Sequence, residues 1–384
     1  MDFDLTEEQT MFRNMAREFG ERHIIPVASD DDRNGRFPID IIKGMAALGL
    51  LGGPVPQEYG GLGIDNVCYG IICEEIARAS AAVFTSALTV QVSLVQLPIL
   101  RYGSEEQKQK WLTRTTKGEL LGCFALTEPN VGSDAASIET SAVLDGDHWV
   151  LNGSKMWISN GGVADLALVF AQTDKAKRHR GIAAFIVERG TPGFSSRDFD
   201  KMGLHSSNTA ELSFQDCRVP AANVLGNVGE GFRIAMYALD CGRFSTAAAC
   251  VGVAQACIDA SIKFAQERQQ FGKTIASFQL IQEMIADMTV ETEAARFLVY
   301  RVGDLKDKGR PIVREASIAK YYAAEVAIRA AQNAIKVHGG YGYSDDYPVG
   351  RYLRDAVGMN LYEGTSQIQK LIVGREALGV AAFV

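Results

Sequence analysis

Leu144-Asp145-Gly146-Asp147-His148-Trp149-Val150-Leu151-Asn152-Gly153 is the stretch whose reading decides the fold class. A short apolar run, Trp149-Val150-Leu151, stands between two turn signals, Asp-Gly and Asn-Gly. Nothing in it repeats at helical spacing. Similar short runs follow at residues 166–171, 182–187 and 210–214. Residues 121–230 therefore read as an antiparallel β domain, built either as two sheets or as a barrel.

The sequence on either side has a different period. In residues 1–120, Thr6 precedes Glu7 and Glu8 as a helix cap with acids in the first turn. Met11, Phe12, Met15, Ala16 and Phe19 then recur at three- and four-residue steps, the pattern of one buried helix face. Pro54, Pro56 and Tyr59-Gly60-Gly61-Leu62-Gly63 form a loop. Helical patterns resume at 68–78 and at 88–97, stopping before Pro98. In residues 231–384, Ile281, Met284, Ile285, Met288, Ala295, Leu298 and Val299 mark one face of a long helix. A second runs over about 315–336, and Gly339 and Gly340 are natural stops. The expected fold is mainly α with a central β domain: an N-terminal helical domain (1–120), a β-barrel or sandwich domain (121–230) and a C-terminal helical bundle (231–384). Strands and helices do not alternate, and no GxGxxG follows an early strand. A parallel dinucleotide-binding fold is thereby excluded.

Bulk properties narrow the function. The 384 residues carry a formal net charge of −7, which disfavours nucleic acid as a partner. There are seven cysteines, an odd number with no CxxC spacing, and five histidines that do not join them in a metal-ligand pattern. No metal site is expected, and the thiols read as core residues of a reduced compartment, with a catalytic cysteine the less ordinary alternative. The acidic, amphipathic start lacks the blocks of a signal peptide, and no run of about 18 uninterrupted apolar residues occurs. A cytoplasmic protein without a membrane span is the expectation.

Several stretches suit chemistry. In Tyr362-Glu363-Gly364-Thr365-Ser366-Gln367-Ile368-Gln369 a carboxylate sits between apolar Leu361 and Ile368, where a dry setting would raise its pKa and suit it to carbon acids. The same hydroxyls also read as a helix N-cap, and both readings can hold together. Phe124-Ala125-Leu126-Thr127-Glu128-Pro129-Asn130-Val131-Gly132-Ser133-Asp134 offers hydroxyls and N–H groups to the edge of a polar ring, or is a plain surface loop. Trp157 and Ser159 follow the Asn152-Gly153 turn. Two apart in a strand, they would face one ligand together, or Trp157 is simply core filler. Arg268-Gln269-Gln270-Phe271-Gly272-Lys273 with Phe278-Gln279 is a cationic link between helices suited to a pyrophosphate, or simply a solvated loop. Asp240 and Arg243 stand three apart on a helix and could pair on the surface. His338-Gly339-Gly340-Tyr341-Gly342-Tyr343 admits close ligand approach, with His338 more naturally structural.

Each motif alone is weak, but their order and spacing together resemble the acyl-CoA dehydrogenase family along essentially the whole chain. The matching blocks begin at Leu5-Thr6-Glu7-Glu8-Gln9 and Tyr59-Gly60-Gly61. They continue through 124–134, 201–203, 219–220, 229–232 and 239–243, and end at 268–272, 338–343, 354–355 and 362–369. The resemblance implies FAD bound by Phe124, Leu126, Thr127, Gly132, Ser133, Trp157, Ile158, Ser159, Thr365 and Gln367. It adds Arg268, Gln270, Phe271, Phe278, Gln279, Lys336, Val337, Gly339 and Gly340, of which the Arg268 and Lys336 segments typically reach the FAD of a neighbouring subunit in a homotetramer. It implies an acyl-CoA substrate meeting Ser133, Asp240, Arg243, Tyr362, Gly364 and Arg375, and Glu363 as catalytic base. Some relatives carry the base at the position of Gly242, which glycine cannot serve. The implied reaction removes the α-proton to Glu363 and the β-hydride to the flavin, with reoxidation by electron-transferring flavoprotein.

The substrate is narrower still by the same resemblance. Residues 118–124 and 90–94 are similar to the glutaryl-CoA branch, which grips a distal carboxylate with an arginine where this chain has Thr85. A buried carboxylate without a cation is costly. The expected substrate is a short, branched or alicyclic acyl-CoA, with Thr85 and Gln91 as pocket residues. The alternatives are a glutaryl-CoA-type dehydrogenase, an acyl-CoA oxidase, and a catalytically silent acyl-CoA or flavin carrier, which Glu363 disfavours.

Overall fold

A computed structural model describes residues 4–382. Helix α1 (Glu7–Phe19) opens on a capping box: Thr6 Oγ1 accepts from Gln9 N, and Gln9 Oε1 accepts from Thr6 N. Phe12, Ala16 and Phe19 are buried as the periodicity predicts, but Met11 points outward. Helices α2 (Ile25–Asn34), α3 (Ile39–Ala47) and α4 (Asn66–Ala79) follow. Helix α5 spans Ala81–Tyr102 and is not ended by Pro98. Its middle, Thr85–Gln96, is wound in wider π-helical turns, and Leu97 N donates back to Val92 O. The chain is thus already off α-geometry where proline's missing N–H would otherwise break it.

The β domain is one continuous hydrogen-bonded sheet with strands in the order β6-β7-β3-β2-β4-β5-β8. These strands are β2 (Ser141–Asp145), β3 (His148–Ser159), β4 (Leu166–Gln172), β5 (Ile182–Glu188), β6 (Phe194–Asp198), β7 (Thr209–Pro220) and β8 (Val224–Leu225), with β1 (Gly122–Ala125) beside β4. It is mixed rather than antiparallel, because β1 and β2 both run parallel to β4. Asp145 pairs with His148 across the predicted Gly146-Asp147 turn. Asn152-Gly153 is not a turn but a bulge inside β3, where register against β7 jumps from Leu151 to Gly153. The Asn152 side chain is occupied there in a clip across to Asp216. Strands β4 and β5 read as unbroken apolar runs because both their faces are covered. Leu166, Leu168 and Phe170 pack with Trp111 and Ile234 of the helical layers, while Ala167, Val169 and Ala171 pack with Leu151, Leu212 and Phe214 across the curled sheet.

Helices α6 (Gly231–Glu267), α7 (Gln279–Asp307), α8 (Val313–His338), α9 (Val349–Leu361) and α10 (Ser366–Leu378) complete the chain. Helices α4 and α6 touch at backbone distance: a methyl on Gly252 would lie 2.1 Å from Glu74 O. Alanine and small side chains of α6 and α8 join α4 and α5 in one core. Two helices, 81–102 and 231–267, are long and apolar enough to cross a membrane. Their most apolar windows are 94% and 72% buried inside the protein. All seven cysteines are buried and unpaired, and the described residues hold no metal-ligand cluster.

Candidate active site

The site is built where α9 hands over to α10. Glu363 has φ 57° and Gly364 φ 94°, two successive left-handed residues, and the first carries a side chain. That costs about 1 kcal/mol or more and persists only where surroundings hold it. Here they do. Glu363 O accepts from Arg243 Nε (3.3 Å) and Gln369 Nε2 (3.1 Å). Gly364 O accepts from Lys320 Nζ (2.8 Å) and Gln369 Nε2 (3.0 Å), and Lys320 also donates to Asn360 O at 2.9 Å. Thr365 then caps α10, as the helix-cap reading expects.

The turn drives the Glu363 carboxylate inward, between α5 and α6. Oε1 accepts from Thr89 Oγ1 at 2.8 Å. Oε2 is buried with no hydrogen-bond partner. A methyl group on Gly242 would stand 2.3 Å from Oε2, so glycine there is what admits the carboxylate. Burial pushes Glu363 up to about 7, against the Thr89 bond, the charges of Lys320 and Arg243 and the nearby Thr246 hydroxyl, which makes no hydrogen bond of good geometry. Burial lowers Lys320 to about 8. The Glu363 N–H donates to no group among the described residues. The Asp240–Arg243 pair is not a surface pair: it closes at 2.8 Å with side chains 15% and 7% exposed.

A second element faces solvent from the β domain. Phe124 and Thr127 are half-buried and Leu126 buried, while Gly132 and Ser133 are exposed. Behind them Glu128 accepts from Lys155 Nζ (2.7 Å), Glu139 N (2.6 Å) and Thr140 N (3.0 Å), while Lys155 also donates to Leu126 O at 3.1 Å. Trp157 is 60% exposed with φ 63°, inside a second bulge between Lys155 and Ile158. Two-residue alternation therefore does not carry across it. Ile158 is buried, Ser159 half-buried on the β7 side, and the Trp157 ring stands edge-on to Phe199.

The remaining predicted cofactor residues gather elsewhere. The Arg268 segment is a β-hairpin, β9 (Gln269–Gln270) against β10 (Lys273–Thr274), rather than a plain link. Phe271 and Gly272 take left-handed conformations at its tip, as a two-residue hairpin requires, and Phe271 is 93% exposed. Gln279 opens α7 behind Phe278, and Lys336 is exposed near Gly339 and Gly340, whose Cβ positions are open. Val337 packs with Ala265 and Ile275 beneath them, with Phe278 against the cluster. His338 is structural, stacked on Phe264 and bonded to Ala334 O. Arg243 and Arg268 lie 25 positions apart along α6, roughly 37 Å. This set is therefore remote from Glu363 of the same chain.

Of the predicted pocket residues, Thr85 is buried, donates to Ala81 O and meets Tyr362 OH at 3.4 Å. Gln91 is a correction. Its amide donates to Thr115 O and Leu120 O and accepts from Gly122 N, so backbone uses it completely. Arg375 is engaged by Glu376 near the start of solvent. Gln367 is exposed. Thr89, Lys320, Gln369, Glu128 and Lys155 were not anticipated. The signal for Lys320 was its place on the alanine face of α8, among Ala316, Ala319, Ala323 and Ala324.

Comparison with known proteins agrees along the whole length. The chain matches the acyl-CoA dehydrogenase N-terminal domain over residues 6–119, the middle domain over 123–217 and the C-terminal domain over 229–378. It is 47% identical to a probable acyl-CoA dehydrogenase, YngJ, of Bacillus subtilis, over 98% of this chain and 100% of that one. The butyryl-CoA dehydrogenase of Megasphaera elsdenii superposes with TM-score 0.96 at 44% identity, covering 98% of this chain and 100% of that one. A glutaryl-coenzyme A dehydrogenase in complex with glutaryl-CoA gives TM-score 0.97 at 43% identity, covering 99% and 97%. With all three of its domains matched, the chain belongs to the acyl-CoA dehydrogenase family, FAD-dependent oxidoreductases that act on CH–CH bonds.

Proposed function

We propose that this protein oxidises a short, branched or alicyclic acyl-CoA without a distal charge to its 2-enoyl-CoA, with Glu363 as the base and electron-transferring flavoprotein as acceptor. The observation that carries the reading is the buried, partnerless Oε2 of Glu363, held in a left-handed turn by Arg243, Lys320 and Gln369. An orphaned acceptor in a dry site is costly unless a ligand uses it.

The residues present fit FAD. The exposed Trp157 ring, with the Thr127 and Ser159 hydroxyls and the open Gly132-Ser133 turn, suits the edge and face of an isoalloxazine. Arg268, beside the unobstructed Gly339 and Gly340, suits a pyrophosphate. Roughly 37 Å along α6 is farther than one dinucleotide spans, so Arg268, Phe271, Phe278 and Lys336 would hold the FAD of another copy. A homotetramer with exposed Phe271 seated on a neighbour follows from that reading. Bound FAD supplies the two-electron acceptor for the β-hydride.

The chain's own groups do the rest. Oε2 takes the α-proton, and a value near 7 leaves a substantial ionised fraction at neutral pH while making that fraction a stronger base than an ordinary carboxylate. The unengaged Glu363 N–H donates to the thioester carbonyl as enolate charge grows. Arg243 and Lys320 fix that N–H and the carboxylate relative to one another.

Thr85 supports a substrate without a distal carboxylate. It is buried against Tyr362 and brings a neutral hydroxyl, already committed to Ala81 O. Anaerobic bleaching of the flavin by a panel of acyl-CoAs tests the whole reading. Butyryl-CoA, isobutyryl-CoA or cyclohexanecarboxyl-CoA should bleach faster than glutaryl-CoA. Faster bleaching by glutaryl-CoA overturns the substrate class, and no bleaching by any of them overturns the reaction.

A further inference from the structure

Behind Glu363 lies a file of hydroxyls that the reaction as described does not use. Thr89 Oγ1 donates to Glu363 Oε1 at 2.8 Å and lies 3.1 Å from Ser245 Oγ. Ser93 Oγ donates to Ser245 Oγ at 3.0 Å, and Tyr69 OH lies 3.0 Å from Ser93 Oγ. All four residues are within about 1% of full burial, and they come from three helices: Tyr69 from α4, Thr89 and Ser93 from α5, Ser245 from α6. Thr89 and Ser93 are four apart in the fully buried middle of α5.

Each hydroxyl has one proton, so a single order makes the file continuous, the one in which Ser245 and Tyr69 point along it rather than at a carbonyl. Thr89 gives its proton to the carboxylate, so its oxygen can only accept, from Ser245. Ser245 then accepts from Ser93, and Ser93 from Tyr69. Every donation polarises the next O–H and makes it a stronger donor. Two members also have a second acceptor: Ser245 reaches Gly242 O at 3.1 Å and Tyr69 reaches Leu88 O at 3.0 Å. When Glu363 is charged, the file gains by aligning on it. When Glu363 is protonated, Ser245 and Tyr69 can turn to those carbonyls at little cost.

We infer that Tyr69, Ser93, Ser245 and Thr89 act as one positioning chain that sets how tightly Glu363 holds its proton, so that three side chains never touching the carboxylate tune the base. The charged and titratable groups facing Glu363 are few. Lys320 comes from α8, with Glu325 beyond it, Arg243 with Asp240 and the Cys250 thiol come from α6, and Tyr362 adjoins it. None of them belongs to the chain, so its members can be altered without changing that set.

The test reads Glu363 directly and needs no substrate, so it can fail independently of the proposed reaction. The carboxylic-acid C=O stretch of Glu363, identified by its loss in Glu363→Gln, is titrated by infrared difference spectroscopy in the FAD-loaded enzyme. Thr89→Val should raise the midpoint by about one pH unit, and Thr89→Ser should restore it. Ser245→Ala and Ser93→Ala should each raise it by several tenths of a unit, and the rising limb of flavin reduction by butyryl-CoA should move with it. A merely structural role would lower melting temperatures and leave the midpoint in place. If Ser245→Ala and Ser93→Ala both titrate like the parent while retaining FAD, the chain does not exist as a unit and the inference is wrong. Should one of these variants fail to fold, the other decides.

Discussion

Lys155 and Glu128 form an ion pair at 2.7 Å with their side chains 0% and 3% exposed. It pins the 124–134 turn to β3 at the point where Thr127 O also accepts from Met156 N. Burial alone would raise Glu128 and lower Lys155, and each is kept ionised chiefly by the other. Removing one partner leaves an uncompensated charge. Lys155→Met should cost about 3–5 kcal/mol and loosen the proposed flavin-binding turn. Thermal melting together with FAD retention checks this, and a variant that keeps both would show the pair to be dispensable.

Glu363→Gln keeps size and hydrogen-bonding capacity but removes the basic oxygen. Turnover should fall roughly a hundred- to ten-thousand-fold, while bound FAD is retained. Stopped-flow flavin reduction is the measurement, and near-parent rates would remove Glu363 from the chemistry.

The pH dependence has a definite sign. Burial raises Glu363 to about 7, so the ionised base disappears below that value. Flavin reduction should fall about tenfold per unit as pH drops below 7. For stability the sign is opposite. The folded state holds this proton more tightly than the unfolded chain, so stability is lost as pH rises from about 4.5 to 7. Glu363→Gln should therefore stabilise the protein at pH 8 by on the order of 2–3 kcal/mol and have little effect at pH 5. Denaturant melts at the two pH values decide it.

Gly242→Ala introduces a methyl 2.3 Å from Glu363 Oε2, on a helix packed at backbone distance against α4 at Gly252. The carboxylate must turn away, and a misplacement of this size should cost about a hundredfold in rate with little loss of FAD. Unchanged kinetics would mean the turn at 363–364 is more yielding than its four hydrogen bonds imply.

Thr85→Arg brings a guanidinium next to Tyr362. Without a substrate carboxylate to pair it, the guanidinium is buried in an acyl pocket and competes for Glu363, so butyryl-CoA oxidation and stability should both drop, the latter by a few kcal/mol. Added glutaryl-CoA should recover part of the melting temperature. Equal melting with and without glutaryl-CoA would remove Thr85 from the acyl pocket.

What the amino-acid order settled by itself was local. Thr6 with Gln9, the Gly146-Asp147 hairpin, the apolar runs of β4 and β5 and the helical periods of α7 and α8 follow from patterns a few residues long. So do the three regions and the position of Glu363 in its hydroxyl-rich turn. Packing decided the rest, because it depends on residues far apart in the chain. Only the folded protein joins Thr89, Gly242 and Lys320 to position 363, a separation of up to 274 residues. Only it turns Asn152-Gly153 into a bulge, carries a helix through Pro98 and commits Gln91 to backbone. For Thr89, Lys320, Asn152 and Gln91 the physical reason is the same: a polar group withdrawn from water takes a partner chosen by proximity in space, which short-range spacing does not encode.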